Sequence, residues 1–372
     1  MEKVNFINKE NLIIARENVG VTTNIASRKI TTSGKDVVLS WENGDALPTW
    51  KQVDKLAKIY NVPELVLLSN AQIKKNKIIP DYRVAQGVED SERVKRLVNL
   101  VIRRQEWLEQ KLKDEGRKNL IQGSGKRLDN PSDLALLIKE KLGIELSDIK
   151  NITGYNARRN TLKYLVEKAE NCGIFVGKTI SYHKIEVEEM RGLYISNDYC
   201  PFIVLNRKDS LSAQIFSFIH ELAHLFRRTE AISNSLEFRT TGNGLSDEEI
   251  FCNRVAVELL LPKEDFIDAH YDKESIYKLS EVYKVSTLAI FYRLKDLNKI
   301  SLSKCDLIEK TIKAETEEYL KNRKKQKGGN HTNNMKDSNG GLFNRVVSKY
   351  YFENKIGYTE ASNLLRFSVE SI

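Results

Sequence analysis

The residues best suited to chemistry are gathered in one short run, Phe218-Ile219-His220-Glu221-Leu222-Ala223-His224-Leu225-Phe226. The chain of 372 residues has five histidines, and two of them stand four apart here on an apolar, helix-forming background. At helical pitch this spacing stacks both imidazoles on one face, one turn apart, where they can grip a single metal ion. Glu221 follows the first histidine and is placed to reach a metal-bound water rather than the metal itself. The H-E-x-x-H pattern therefore predicts a hydrolytic zinc centre with His220 and His224 as ligands and Glu221 as general base.

Such a centre needs three protein ligands and one open position for water. No histidine continues the run in the extended H-E-x-x-H-x-x-G-x-x-H form. His183 and His270 are available but stand in unhelpful contexts. Glu249 is the better candidate. Ser246 can cap a helix running from Asp247 to Pro262, and on it Glu249, Cys252, Asn253 and Ala256 share one face. The small residues of that face allow close approach to the histidine helix. Two histidines and a downstream glutamate form the ligand set of thermolysin-like zinc enzymes. Glu248 points about 100° away from its neighbour and is expected to be solvated. Tyr194 and Tyr199 are the candidate oxyanion donors.

These residues need elements to hold them. The histidine helix should begin near Ser210 or Ser212, and Ile215, Phe216, Ile219, Leu222, Ala223 and Phe226 supply its buried surface. Three strand-like runs precede it: 174–176, 190–195 and 202–206. Together they predict a small three-stranded sheet that walls the cleft, with an edge along which substrate could lie as an added strand. Helices are expected around 134–144 and 161–171. Earlier still, residues 8–70 read as several short helices joined by tight turns, stopped at Gly20 and at Asn43-Gly44. A connector follows, with a basic run at Lys74-Lys75-Asn76-Lys77, a break at Pro80-Asp81-Tyr82-Arg83 and one long amphipathic helix through Val94, Leu97, Val101 and Leu112. Residues 321–341, rich in Lys, Asn and Gly, read as a flexible linker.

Two stretches resemble known families. Arg16 through Gly20, Ala26, Trp41-Glu42-Asn43-Gly44, Pro48 and Leu56-Ala57 resemble the repressor-like (Xre-type) helix-turn-helix, in which the helix ending in W-E-x-G lies in the major groove of DNA. The segment from Arg28 to Lys35 departs from the pattern. Asp36 and Leu39 stand where a base reader would prefer Arg, Asn, Gln or Ser. Lys35 and Ser40 are the candidate DNA contacts. The second stretch is Pro201-Phe202-Ile203-Val204-Leu205-Asn206, the histidine helix, and Glu249, Cys252-Asn253, Ala256 and Glu258-Leu259-Leu260-Leu261-Pro262. It resembles the ImmA/IrrE metallopeptidase family, with Cys252 and Val255 replacing the usual Ala and Phe. Val285-Ser286, Arg293-Leu294 and Gly357-Tyr358-Thr359-Glu360-Ala361 resemble later parts of that family.

The expectation is an α+β protein in four parts. Residues 1–70 form an all-α helix-turn-helix domain and 71–125 a helical connector. Residues 126–300 form a mainly helical zincin-like domain with the small sheet, and 301–372 a helical C-terminal region. Hydrophobic residues at 41% and charged residues at 30% suit a globular chain. The lack of any apolar run near the ~18 residues of a span argues against a membrane. Cys172, Cys200, Cys252 and Cys305 are scattered, which fits a reducing cytoplasmic setting, and nothing in the first residues suggests secretion. A net charge of +9 allows contact with nucleic acid without establishing it. The resemblances imply a Zn2+ peptidase acting on a regulatory protein, a repressor or an antitoxin. Its alternatives are a DNA-binding regulator with a non-hydrolytic zincin-like domain, or the toxin of a toxin–antitoxin pair. The sequence leaves oligomeric state open.

Overall fold

The computed structural model describes residues 3–19, 21–60, 62–70, 92–180, 183–229, 232–233, 246–267, 271–322 and 330–371. Gly20, the stretch 74–83 and His270 lie outside the described residues. Among the described residues, those up to 70 together with 92–103 form one compact unit, and those from 104 onward form the other. The stretches expected as connector, catalytic domain and tail thus share one unit from residue 104.

The first unit is built from α1 (Lys9–Asn18), α2 (Thr23–Ile30), α3 (Val37–Asn43), α4 (Trp50–Tyr60) and α5 (Glu64–Leu68). Polar side chains start the first three helices: Asn8, Thr22 and Asp36 each accept a backbone N–H from the first turn. Gly44 ends α3 with φ of 86°, a conformation that glycine adopts without a Cβ penalty. Leu12, Ala15, Ala26, Val38, Trp41, Val53, Leu56 and Tyr60 fill its core. Glu42 of the W-E-N-G run accepts from Arg16 through two bonds of 2.6 and 3.0 Å, which ties α1 to α3. Asp36 is equally structural: it accepts the hydroxyls of Thr23 and Ser27, both at 2.7 Å, besides the Leu39 N–H.

The long helix α6 (Glu92–Asp114) passes from the first unit into the second. There follow α7 (Pro131–Leu142), α8 (Leu146–Asn151) and α9 (Ala157–Asn171), then β1 (Phe175–Lys178), β2 (Gly192–Ile195) and β3 (Phe202–Leu205). The histidine helix is α10 (Leu211–Arg227); β4 (Ile232–Ser233) and α11 (Asp247–Leu260) come next. The chain closes with α12 (Lys273–Tyr283), α13 (Thr287–Asp296), α14 (Leu302–Asn322), α15 (His331–Asn339), α16 (Gly341–Phe352) and α17 (Tyr358–Leu365). The sheet order is β1-β3-β2-β4, with β1 parallel to β3 and the other two pairings antiparallel. It therefore has a fourth, two-residue strand beyond the three expected, because the chain leaving α10 turns back to pair Ile232 and Ser233 with Leu193 and Gly192.

Helix α10 runs through the middle of the main core, packed by α7, α9, α11, β2 and β3. The link from β3 to α10 is organised by buried Asn206, whose amide donates to the Met190 carbonyl at 2.8 Å and whose Oδ1 accepts from Thr179 at 3.0 Å. The expected linker at 321–341 needs correction over its described part, since α15 and the first residue of α16 lie there. Met335, Ser338 and Asn339 are buried, and Asn339 donates to the Leu365 carbonyl at 2.8 Å. Composition predicted solvation because the polar residues outnumber these anchors. The anchors nevertheless hold α15 against β1.

Candidate metal centre

Ser210 caps α10 by accepting from the Ala213 N–H at 3.2 Å, and Ser246 caps α11 by accepting from the Glu249 N–H at 3.3 Å. These two helices bring three donors together. His220 Nε2 lies 3.2 Å from Glu249 Oε2, and His224 Nε2 lies 3.2 Å from Glu249 Oε1. The two Nε2 atoms are 3.0 Å apart. Both imidazoles are buried, while the Glu249 side chain is 17% exposed, so the cluster opens on the carboxylate side.

The donors fit a zinc ion. Ligand bonds of about 2.0–2.1 Å in a tetrahedral shell put neighbouring donor atoms roughly 3.3 Å apart, close to the spacing found. Both carboxylate oxygens of fully buried Glu221, and Nδ1 of His220, have no hydrogen-bond partner among the described residues. Such orphaned polar atoms are costly unless something polar meets them. Burial, with the nearby Glu249 carboxylate, pushes the Glu221 carboxyl well above its usual range. Burial also pushes Glu249 upward. The two imidazoles that face it, His220 and His224, outweigh that and hold it well below the carboxylate range. For His224, burial outweighs its Glu249 partner and lowers the pKa.

The wall behind Glu221 is Gly192 of β2. A Cβ at that position would stand 2.4 Å from Glu221 Oε1. Nothing in the pattern G-L-Y-I signals that role, because the contact is between a strand and a helix distant in sequence.

The remaining candidates are placed as follows. Glu248 is not simply solvated: it pairs with Arg227 at 2.7 Å and accepts from the Thr229 hydroxyl at 3.0 Å. Thr229 was not a candidate, since a lone threonine past a helix end carries no pattern. Tyr194 donates its proton to Gln122 Oε1 at 2.7 Å, and the Tyr199 ring lies under Lys113. His183 stands outside the cluster, its Nδ1 accepting from the Ile180 N–H at 3.2 Å. Glu258 and Arg293 pair at 2.8 Å, and Arg293 also donates to the Leu261 carbonyl, so both fasten α11 to α13. In the first unit Lys35 is exposed, and half-buried Ser40 turns its hydroxyl back to the Asp36 carbonyl. All four cysteines are free. No helix among the described residues is long and apolar enough to cross a membrane.

An H-E-x-x-H helix met by a glutamate from the next helix, beside a small mixed sheet, is the arrangement of a metallopeptidase-like domain. Residues 176–295 match the family model described as IrrE N-terminal-like domain (Peptidase_M78), which supports the ImmA/IrrE family for this part of the chain. The match spans β1 to α13, and so contains the whole candidate centre. No curated protein and no solved structure matches the chain.

Proposed function

We propose that the chain is a zinc-dependent endopeptidase that cleaves a regulatory protein, with its N-terminal helical unit serving to contact DNA. The observation that carries the reading is the convergence of His220, His224 and Glu249 beside an orphaned, buried Glu221 carboxylate. A zinc ion on those three residues would supply a water of lowered pKa and polarise the scissile carbonyl. Glu221 takes a proton from the attacking water and returns it to the leaving amine nitrogen. Gly192 keeps the Glu221 carboxylate in line by leaving room for it and no more. The surrounding apolar core excludes bulk water from the buried side of the cluster.

The DNA-binding part rests on the resemblance of the first unit to Xre-type modules and on exposed Lys35 beside α3. Asp36 and Arg16 are committed within the fold, so any base reading falls to Lys35, Ser40 and their neighbours.

The test is metal analysis of the purified chain, followed by incubation with candidate repressor or antitoxin proteins, with Glu221→Gln as the control. Zinc retained by both forms and cleavage by the wild type alone is the expected result. Cleavage by Glu221→Gln at the wild-type rate rejects the mechanism. Binding of DNA is read separately by fluorescence anisotropy as salt is raised.

A further inference from the structure

Residues beyond the three donors determine how one of the histidines presents itself. Helix α10 ends at Arg227 and is capped by Arg228, whose φ of 60° and ψ of 42° turn the chain left-handed. The turn is closed by the Thr229 N–H donating to the His224 carbonyl at 3.0 Å. This reversal lays the Thr229 side chain beside the His224 ring, with Oγ1 3.0 Å from Nδ1. The same hydroxyl donates to Glu248 Oε1, also at 3.0 Å.

A hydroxyl has one proton to give. With that proton directed at Glu248, the Thr229 oxygen is left to accept from His224. The ring proton must then sit on Nδ1, and Nε2 keeps its lone pair. Nε2 is the atom that faces His220 and Glu249. Glu248 is held as an acceptor by Arg227, which donates from Nε at 2.7 Å and from Nη2 at 3.2 Å. Arg227 is itself fixed by the Leu128 carbonyl at 2.6 Å and by the face of Phe251. Every bond in the series therefore points one way, from ring proton to hydroxyl to carboxylate, with the guanidinium behind it. His220 has no counterpart among the described residues, since its Nδ1 is without a partner.

We infer that Thr229 and Glu248 are positioning residues that lock His224 in its Nδ1–H tautomer, so that a bare Nε2 lone pair meets a divalent cation. The inference rests on the ligand reading proposed above, and deepens it. Glu248, Cys252 and His224 also lie within 4.8 Å of one another, but they do not form a second cation site. Arg227 already occupies the Glu248 carboxylate, and the Nδ1 of His224 faces Thr229.

The test needs no substrate. Metal-free protein labelled with 15N-histidine reports the tautomer of His224, assigned by the signals lost in His224→Gln. The expected result is Nδ1–H in the wild type and in Thr229→Ser, with a mixture of tautomers in Thr229→Val. An Nε2–H ring in the wild type overturns the inference on its own, whether or not any variant folds. Zinc affinity, measured by competition with a chromophoric chelator, should fall by about 10–100-fold in Thr229→Val and recover in Thr229→Ser. Glu248→Gln still offers Thr229 a carbonyl oxygen, so it should lose less affinity than Thr229→Val. Equal affinity in the wild type and Thr229→Val overturns the positioning role while leaving the ligand set intact. A wild-type chain that binds no zinc overturns the ligand set itself.

Discussion

Replacing Gly192 with alanine separates the proposed base from the proposed ligands more cleanly than any change to those ligands themselves. The new methyl group would lie 2.4 Å from Glu221 Oε1, 2.9 Å from its Cγ and 3.0 Å from its Cδ. Ordinary contact begins near 3.4 Å, so the carboxylate must yield by 3.4 − 2.4, or 1.0 Å. Glu221 is fully buried, and no part of the side chain can swing into solvent. A misplacement of about 1 Å in a catalytic group costs on the order of 100-fold in rate, or ~2.7 kcal/mol of transition-state stabilisation. His220, His224 and Glu249 come from α10 and α11, and the three atoms nearest the new methyl all belong to Glu221, so zinc affinity should stay within about twofold. The assay is kcat/KM on a protein whose cleavage depends on Glu221, paired with chelator competition for zinc. A wild-type kcat/KM for Gly192→Ala refutes the placement of Glu221. A loss of zinc affinity as large as the loss of rate would instead put Gly192 among the supports of the metal.

Three further outcomes follow from the fold. Gly340 adopts φ of 84° and ψ of 160°, and a Cβ there would stand 1.8 Å from the Val176 carbonyl oxygen. Gly340→Ala should therefore destabilise the second unit by about 3 kcal/mol or more, read as a lowered urea midpoint, and an unchanged midpoint would contradict it. In the first unit, Glu42→Gln breaks a pair whose side chains are only 15% and 5% exposed, and should cost about 2–3 kcal/mol in thermal unfolding. The double change Arg16→Met with Glu42→Met should recover most of that, and its failure to do so would mean the pair sets the fold rather than merely satisfying itself. His183 is held neutral by burial, with Arg366 and Arg104 adding to the effect, and its pKa falls from 6.5 to about 4. Because the unfolded chain takes up this proton first, stability is fully present above pH 6.5 and declines as pH falls to about 4. At about 1.36 kcal/mol per unit the loss is up to ~3 kcal/mol. Urea midpoints at pH 7 and 4.5 should converge more closely in His183→Asn than in the wild type.

Much of this was legible in the sequence, and the parts that were not share a cause. Local signals were read directly. Ser210 and Ser246 begin their helices, Gly44 ends α3, and Glu249 lies across from His220 and His224 because helical periodicity places it there. Contacts between segments distant in the chain were not. Gly192 against Glu221, the Arg227–Glu248 pair and the pairing of β4 with β2 each depend on how elements pack, which no local pattern encodes. Glu248 shows the limit of periodicity most clearly. Its direction away from the donors was correct in kind, but the helix α10 end reaches round to meet it, and so it is paired rather than solvated. The segment 330–341 was misread for the complementary reason, since a few anchoring residues outweigh an average polar composition.

The outermost strands of a sheet carry unused backbone donors and acceptors, and these invite pairing with another molecule. On β1 the C-terminal region meets that hazard without adding a strand. The Ser338 hydroxyl donates to the Lys178 carbonyl at 2.7 Å, and the Gly340 backbone closes over the Val176 carbonyl. The last forty or so residues thus act as a guard for the sheet as well as a packing layer. A chain cut before α15 would expose β1 as a sticky margin. Its first symptom would be self-association in solution, appearing before any damage to the cluster of His220, His224 and Glu249.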